Sequence, residues 1–223
     1  MIEALLFDFD GLLVDSETVA FQTWQEAYRE QGAELLVERW AAAIGTIDGF
    51  DPLAHLEESL GRAIDREAVE EAQRARELAL VHEQPLRPGV LEYLAEARAR
   101  GLHVAIVSSS SDAWIAGHLE RLETADGWAC IVCANGDAAR AKPRPTLYLE
   151  ALETIGVAPE SAIAFEDSPN GVAAARAAEI FCVAVPNSVT AQLDLSTADL
   201  LVESLEDVPL SELLRVVAER RAA

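Results

Sequence analysis

Two aspartates near the N-terminus, Asp8 and Asp10, stand two residues apart at the end of an apolar run. In a β-strand this spacing places both side chains on the same face. Two carboxylates that end a buried strand repel each other and are costly to desolvate unless a cation or a proton neutralises them. The pair therefore indicates either a metal or acid–base site, or a strand that ends in polar residues as the chain enters a loop.

Polar residues also follow two later apolar runs. Ser108, Ser109 and Ser110 precede an amphipathic stretch, where hydroxyls and backbone amides bind an anion or simply cap a helix. Glu166 and Asp167 precede Ser168-Pro169, and they either begin a helix or bind a hard cation. Because the carboxyl ends of parallel strands meet at one edge of a sheet, we expect all these groups to lie together.

Lys142 is the single lysine among the 17 basic residues of the chain, the others being arginine. It lies in the sequence Ala141-Lys142-Pro143, after the third apolar run. An ammonium group is a compact point charge, unlike the planar guanidinium. Lys142 therefore indicates a phosphate held beside a carboxylate, or else it is a chance survivor of a composition that favours arginine.

The composition predicts a folded and strongly acidic protein. The chain has 223 residues, of which 51% are hydrophobic, and its net charge is −22. Such a charge disfavours nucleic acid and anionic membranes as partners. No apolar run approaches the ~20 residues of a membrane span, and Asp8 interrupts the first one, so we expect neither a membrane segment nor a signal peptide.

Three cysteines without a disulfide framework predict a reducing, cytoplasmic location. Two of them form Cys130-Ile131-Val132-Cys133, whose spacing also occurs at metal and redox sites. No second cysteine pair or histidine pair lies nearby, so we predict a buried strand in which cysteine is a small apolar residue.

Short apolar runs alternate with amphipathic stretches, which is typical of a parallel sheet covered by helices on both faces. The predicted strands are Ala4 to Phe9, His103 to Val107, Ala129 to Cys133, Ala162 to Phe165, Phe181 to Val185 and Leu200 to Val202. Helices are expected from Pro88 to Gly101, after Ser110 or Ser111, and from Ser168-Pro169.

The alternation stops between about Ser16 and Pro85, where only helical patterns occur. These patterns are Glu17 to Gln31, Leu35 to Ala43, Pro52 to Leu60 and Arg66 to His82. A block of roughly 70 residues is too long for an ordinary strand crossover. We therefore predict a helical cap domain, residues 16–85, inserted into a core of residues 1–15 and 86–223.

Together these residues resemble the haloacid dehalogenase (HAD) superfamily. Its four motifs, in their order along the chain, are matched by Asp8-x-Asp10-Gly11-x-x-x-Asp15-Ser16, by Ser108, by Lys142-Pro143, and by Glu166-Asp167-Ser168 with Asn170-Gly171. The resemblance implies an α/β fold with a Rossmann-like parallel sheet, strand order 3-2-1-4-5-6, and an inserted helical cap.

The resemblance also implies roles for these residues. Asp8 is expected to be the nucleophile that forms an aspartyl-phosphate, and Asp10 the general acid and base. Mg²⁺ is expected on Asp8, the Asp10 backbone carbonyl and Asp167, with Glu166 in support through water. Lys142 is expected to take part in catalysis by offsetting the negative charge between Asp8 and the phosphate. Lys142, Ser108 and the neighbouring Ser109 are also expected to bind the phosphoryl group of a small phosphorylated metabolite.

Within the superfamily the chain is most similar to β-phosphoglucomutase-like phosphatases with a helical cap. It has Ala20 where mutases carry a histidine, Ser111 where they often carry lysine, and no basic residue from Ile44 to Asp51. These differences favour a phosphatase of sugar or polyol monophosphates; the alternative is a phosphosugar mutase. The loop from Gly45 to Pro52 is the expected specificity element, with Trp24 and Trp40 as substrate contacts or as core aromatics of the cap.

Three other classes fit less well. A receiver-type signalling module lacks both a second acid two residues after its phospho-acceptor and a long insertion, and a decayed scaffold protein would have lost a charged site residue. A dehalogenase would not require Asp10 or Asp167. Sugar phosphates, polyol phosphates, phosphoglycolate and nucleotides all occur as substrates on this scaffold, so the substrate stays open. We expect a monomer, because no long exposed apolar stripe is evident.

Overall fold

A six-stranded parallel sheet runs through the described part of the chain. The structure is a computed structural model that describes residues 1–41, 43–47 and 50–222. Its strands are β1 (Ala4–Phe7), β2 (His103–Ser108), β3 (Cys130–Cys133), β4 (Ala162–Glu166), β5 (Phe181–Ala184) and β6 (Leu200–Leu201). The strand order is β3-β2-β1-β4-β5-β6, which confirms the predicted 3-2-1-4-5-6 sheet.

Helices flank the sheet and also fill the long segment after β1. They are α1 (Ser16–Gln31), α2 (Val37–Trp40), α3 (Pro52–Leu60), α4 (Arg66–Glu83), α5 (Val90–Ala99), α6 (Asp112–Arg121), α7 (Thr146–Ile155), α8 (Pro169–Ala177) and α9 (Leu210–Ala222). None of the helices in the described ranges has the length and apolar character needed to cross a bilayer.

Alternate residues of the central strands enter two different cores. On one face, Leu5 and Phe7 of β1 belong to a cluster that includes Tyr93 of α5 and Leu213 of α9. On the other face the strands contribute many alanines, and this cluster includes residues of α7 and α8. Because alanine projects little beyond the sheet, helices α7 and α8 can approach the strands closely, which brings α7 within reach of the carboxyl edge.

Strand β3 corrects one prediction about burial. It pairs with β2 at the edge of the sheet, so the strand is confirmed, but Ile131 is 37% exposed and Cys130 is only half-buried. Residues three apart on a strand point to opposite faces, and Cys130 and Cys133 accordingly lie in different clusters. The two thiols therefore do not converge on a shared metal.

The helical segment between β1 and α5 matches three of its four predicted helices closely. The exception is Leu35 to Ala43, of which only Val37–Trp40 is helical, and Ala42 lies outside the described residues. This helix has no side-chain cap, whereas Asp15, Asp51 and Asp65 each cap the helix that follows them. A short helix without a cap gains too little free energy from its hydrogen bonds to extend further.

The two chain connections between the sheet and the helical segment lie side by side. Val14 forms an antiparallel bridge with Leu86, and the Arg87 backbone N–H donates to the Leu13 carbonyl at 2.9 Å. The Arg87 guanidinium donates to the carbonyls of Gly11, at 2.5 Å, and of Val185 and Pro186, at 3.0 and 2.7 Å. Arg87 therefore holds the turn after β1 against the end of β5.

Candidate functional site

The polar strand ends meet at the carboxyl edge of the sheet, as expected. Asp8 follows β1, Ser108 ends β2, and Glu166 ends β4 with Asp167 directly after it. Lys142 lies in the loop between β3 and α7 and reaches the same place. Because β1 lies between β2 and β4 in the sheet, Asp8 occupies the centre of this group.

The Lys142 ammonium is enclosed by two carboxylates. Its Nζ lies 2.5 Å from Asp8 Oδ1 and 2.7 Å from Glu166 Oε1, and the side chain is only 1% exposed. Burial alone lowers the pKa of a lysine, but attraction to Asp8 and Glu166 outweighs burial here and raises the pKa of Lys142 above its ordinary value. Lys142 is therefore a permanent positive charge beside Asp8.

Three buried carboxylates crowd around this single ammonium. Oxygens of Asp8, Glu166 and Asp167 lie within 4.8 Å of one another. Burial raises the pKa of Asp8 from 3.8 to about 7, and repulsion by Glu166 adds to this although Lys142 opposes it. Burial, with repulsion from Asp8, also raises the pKa of Asp167. Negative charge at this place is therefore only partly compensated by the protein.

Two oxygens of the cluster fit a hard cation. Glu166 Oε2 and Asp167 Oδ1 are buried and have no hydrogen-bond partner, although a buried polar atom normally has one. An oxygen-only donor set with excess negative charge is the kind that Mg²⁺ prefers. The residues therefore fit the predicted magnesium site, with Asp8 and Asp167 as the central carboxylates.

Residues that the sequence analysis did not single out orient these carboxylates. The Tyr148 hydroxyl of α7 donates to Glu166 Oε1 at 2.5 Å, and Asn187 Nδ2 donates to Asp167 Oδ2 at 2.7 Å. Each donor occupies one oxygen and leaves the other oxygen of the same carboxylate without a partner. Asn187 follows the end of β5, so the strand-end rule could have found it, but no sequence signal marks Tyr148.

Asp10 has a separate environment from the carboxylate cluster. Its Oδ1 accepts from Ser16 Oγ at 2.7 Å and from Trp114 Nε1 at 2.9 Å. Its Oδ2 accepts from Ser110 Oγ at 2.5 Å and makes a long contact of 3.5 Å with Ser108 Oγ. The Asp10 side chain is thus fixed by donors and belongs to no group of converging metal ligands within the described ranges.

Ser109 connects the site to the loop after α2. Its hydroxyl donates to the Gly45 carbonyl at 3.0 Å and accepts from the Lys142 backbone N–H at 3.2 Å. Asn170 of α8 also donates to this loop, at the Ile44 carbonyl. Since the Ser109 hydroxyl is already bonded, a phosphate contact from Ser109 would use its backbone amide. Asp48 and Gly49 of the predicted specificity loop lie outside the described residues.

Two cavities meet at Asp10. One, of about 320 Å³, contains Asp8, Ser108 and Ser109, and we call it the phosphate cavity after the group that the resemblance leads us to expect there. The other, of about 370 Å³, runs between α1, α4 and α6, and we call it the leaving-group cavity because the rest of such a substrate would extend into it. Asp10, Glu17 and Ser110 line both. Trp24 lines the leaving-group cavity and also packs in the core of the helical segment, whereas Trp40 is a buried residue of that core.

Two glycines permit the close approaches at this edge. Gly11 has φ +82°, and a Cβ there would collide with the Asp167 carboxylate. A Cβ at Gly171, in the first turn of α8, would collide with the Glu166 carboxylate. The turn after β1 and the start of α8 can therefore lie directly against the acidic cluster only because both residues lack a side chain.

Residues 2–179 match the family of haloacid dehalogenase-like hydrolases, and the chain belongs to this family. YhcW of Bacillus subtilis (strain 168), whose name assigns it provisionally to the phosphatases, is 40% identical over 214 residues, covering 96% of this chain and 97% of YhcW. Hexitol phosphatase B of Escherichia coli (strain K12) is 31% identical over 232 residues, covering 96% of this chain and 97% of the hexitol phosphatase. The chain is a phosphoric monoester hydrolase of the HAD type.

A solved structure of a relative agrees with the fold. A mutant of CbbY from Rhodobacter sphaeroides, in complex with xylulose-(1,5)bisphosphate, superposes with a TM-score of 0.73 at 28% identity. The match covers 96% of this chain and 99% of the CbbY chain. The likeness therefore extends over the helical segment as well as the sheet.

Charge crowding at the acidic cluster leads to a prediction about stability. In excess chelator, Asp167→Asn should raise the Tm by roughly 2–8 °C, because it removes a buried charge and places an amide N–H beside the other two carboxylates. Excess Mg²⁺ should raise the Tm of the wild type but not of the variant. Differential scanning fluorimetry with and without Mg²⁺ measures both effects.

The control is the same substitution at an exposed position, Asp126. Asp126→Asn should leave both the chelator Tm and the Mg²⁺-induced rise unchanged. A lower Tm of Asp167→Asn in chelator would show that charge repulsion in the cluster does not destabilise the folded protein.

Proposed function

We propose that this enzyme is a Mg²⁺-dependent phosphatase of a small phosphorylated metabolite, which it hydrolyses through an aspartyl-phosphate on Asp8. The arrangement of Asp8 carries the proposal. Its carboxylate is paired with Lys142 and lies in a cluster with Glu166 and Asp167, each of which has one oxygen without a protein partner. This is the environment in which a nucleophilic carboxylate can approach a phosphate dianion.

The reaction divides into two displacements at phosphorus. In the first, an Asp8 carboxylate oxygen attacks the phosphorus, the ester P–O bond breaks, and Asp10 gives its proton to the departing alkoxide oxygen. In the second, Asp10 takes a proton from water, the resulting hydroxide oxygen bonds to phosphorus, and the Asp8–phosphorus bond breaks to give inorganic phosphate. The position of Asp10 between the two cavities supports this double role.

Positive charge and donors hold the phosphoryl group. Lys142 Nζ, at 2.5 Å from Asp8, offsets repulsion between that carboxylate and the phosphate oxygens. Ser108 lines the phosphate cavity, and its hydroxyl together with the Ser109 backbone amide can bind a non-bridging oxygen. These contacts orient phosphorus in line with the Asp8 oxygen.

Asp8, Asp167 and the Asp10 backbone carbonyl would hold Mg²⁺, with Glu166 in support through water. When bound, the cation supplies electrostatic stabilisation of the charge that develops on the transferring phosphoryl group. Tyr148 and Asn187 keep the carboxylates of Glu166 and Asp167 oriented for it.

Residues 16–85 act in this proposal as a cap over the site, with the core formed by residues 1–15 and 86–223. The cap loop contacts Ser109 and Asn170 through the carbonyls of Gly45 and Ile44. These contacts link the cap to the phosphate cavity, so that closure can exclude bulk water from the first displacement.

A neutral sugar or polyol monophosphate fits the leaving-group cavity best. Besides Asp10, its walls include Glu17, Glu70 and Glu77, against the exposed guanidinium of Arg74. Carboxylates accept hydrogen bonds from hydroxyl groups but repel a second phosphate. The hexitol phosphatase relative has a name consistent with such a substrate. A cytoplasmic location and a monomeric state stay predictions; the former agrees with three free cysteines.

The mechanism predicts that phosphate release requires Mg²⁺ and both catalytic aspartates. Asp8→Asn should abolish turnover because it removes the nucleophile. Asp10→Asn should also abolish turnover but still allow slow phosphorylation of Asp8. Phosphate release with and without chelator, and mass spectrometry of the trapped protein, measure these outcomes. Full activity in chelator, or an active Asp8→Asn enzyme, would contradict the mechanism.

The acidic leaving-group cavity predicts hydrolysis rather than phosphosugar isomerisation. Incubation with β-glucose 1-phosphate and a trace of the 1,6-bisphosphate should yield inorganic phosphate or no product, since a mutase must bind a second phosphate in this cavity. Coupled assays for phosphate and for glucose 6-phosphate separate the two reactions. Accumulation of glucose 6-phosphate faster than phosphate would establish the mutase alternative.

The buried ion pairs predict that arginine cannot replace Lys142. Lys142→Arg should lower kcat at least roughly tenfold, because the larger planar group displaces Asp8 or the phosphoryl group. Overpacking of the buried position should also cost about 1–3 kcal/mol of stability, so kcat is measured well below the Tm. Arg144→Lys, the reverse exchange at an exposed position of the same loop, should leave kcat unchanged. Wild-type turnover of Lys142→Arg would show that the lysine is a chance survivor.

A further inference from the structure

Trp114 contacts Asp10 although it belongs to none of the four motifs. Its indole Nε1–H donates to Asp10 Oδ1 at 2.9 Å. The residue stands in the first turn of α6, where its backbone N–H donates to the capping Ser111 hydroxyl at 3.3 Å. The helix cap therefore sets the position from which the indole reaches Asp10.

The indole ring is held in this orientation by its packing. It makes an edge-on contact with the His118 ring, at 4.3 Å between centroids. It also forms part of the wall between the leaving-group cavity and a second groove beside α4. The contact with His118 and the hydrogen bond to Asp10 together fix the orientation of the ring.

The two carboxylate oxygens of Asp10 differ in their capacity to accept further hydrogen bonds. Oδ1 accepts from both Ser16 and Trp114, which uses its two lone pairs. Oδ2 accepts one short bond, from Ser110, and otherwise has only the 3.5 Å contact with Ser108. An indole N–H is a donor only, so a proton on Oδ1 would face another proton.

We propose that Trp114 is a positioning residue that reserves Asp10 Oδ1 as an acceptor and so assigns proton transfer to Oδ2. This inference rests on the proposed role of Asp10 as general acid and base. With Trp114 in place, the Asp10 proton lies on the oxygen that faces the serines of the phosphate cavity. There it can pass directly to the departing oxygen as the ester bond breaks.

The leaving group distinguishes this role from simple packing. An alkoxide needs a proton as it departs, whereas p-nitrophenolate leaves without one. The value of kcat/KM reports the steps up to the first displacement and not the later hydrolysis of the aspartyl-phosphate. Loss of the indole N–H should therefore affect kcat/KM for an alkyl phosphate selectively.

The test compares Trp114→Phe with the wild type on glycerol 2-phosphate and on p-nitrophenyl phosphate, both with Mg²⁺. Phenylalanine keeps the aromatic wall and the contact with His118 but removes the donor. We expect kcat/KM to fall roughly tenfold or more for the alkyl ester and less than about threefold for the aryl ester.

Trp128→Phe is the matched control, because Trp128 is also half-buried and its indole donates only to the Thr124 carbonyl, at 2.8 Å. It should change neither value. If Trp114→Phe is unstable, Ser16→Ala removes the other Oδ1 donor and should show the same selective loss. Equal losses on both esters, or no loss on either, would overturn the inference.

Asp10→Asn separates this inference from the proposed function. If Asp10 is the general acid, that variant releases a burst of about one equivalent of p-nitrophenolate per enzyme but no burst of glycerol. A selective effect in Asp10→Asn without one in Trp114→Phe overturns only the role of Trp114. No selectivity in Asp10→Asn overturns the role of Asp10 itself.

Discussion

The arrangement of the site follows from one electrostatic constraint. Asp8, Glu166 and Asp167 share a buried volume with a single ammonium group, that of Lys142. The charge of that lysine is insufficient to neutralise three carboxylates, and burial together with this imbalance raises the pKa of both Asp8 and Asp167. Such a cluster destabilises the folded chain, but in the proposed function its excess negative charge holds the cation that offsets the charge of the incoming phosphate. The surrounding fold must therefore hold together charges that repel each other.

Different parts of the chain share that task. Tyr148 extends from α7, Asn187 from the segment after β5, and Arg87 from the end of the helical segment. Arg87 acts on backbone carbonyls and so fixes the turn, while the other two act on the carboxylates themselves. Because residues 11 and 171 are glycines, no side chain separates the turn after β1 or the start of α8 from the acidic cluster. The cluster thus depends on the whole sheet edge rather than on its motif residues alone.

The sequence predicted the strand-end residues because parallel strands bring their carboxyl ends to one edge. Asp8, Ser108 and Glu166 were found by this rule, and Lys142 by its rarity. Tyr148 and Trp114 were not found, because each contact joins residues distant in sequence and depends on how a helix packs on the sheet. The length of the helix at Val37–Trp40 and the burial of β3 were mispredicted for a related reason. Local hydrophobicity does not report a missing cap or a position at the sheet edge.

The meeting of two cavities at Asp10 has a consequence for the order of events. In the proposed mechanism Asp10 protonates an alcohol on the leaving-group side, and the attacking water must later stand within reach of the same carboxylate. Alcohol and water therefore occupy one position in succession. The phosphoenzyme can be hydrolysed only after the alcohol has vacated that position, so strong retention of the alcohol would slow every cycle. A cavity whose polar lining includes the exposed Glu70 and Arg74 suits this requirement, since it orients the alcohol briefly and then releases it to solvent.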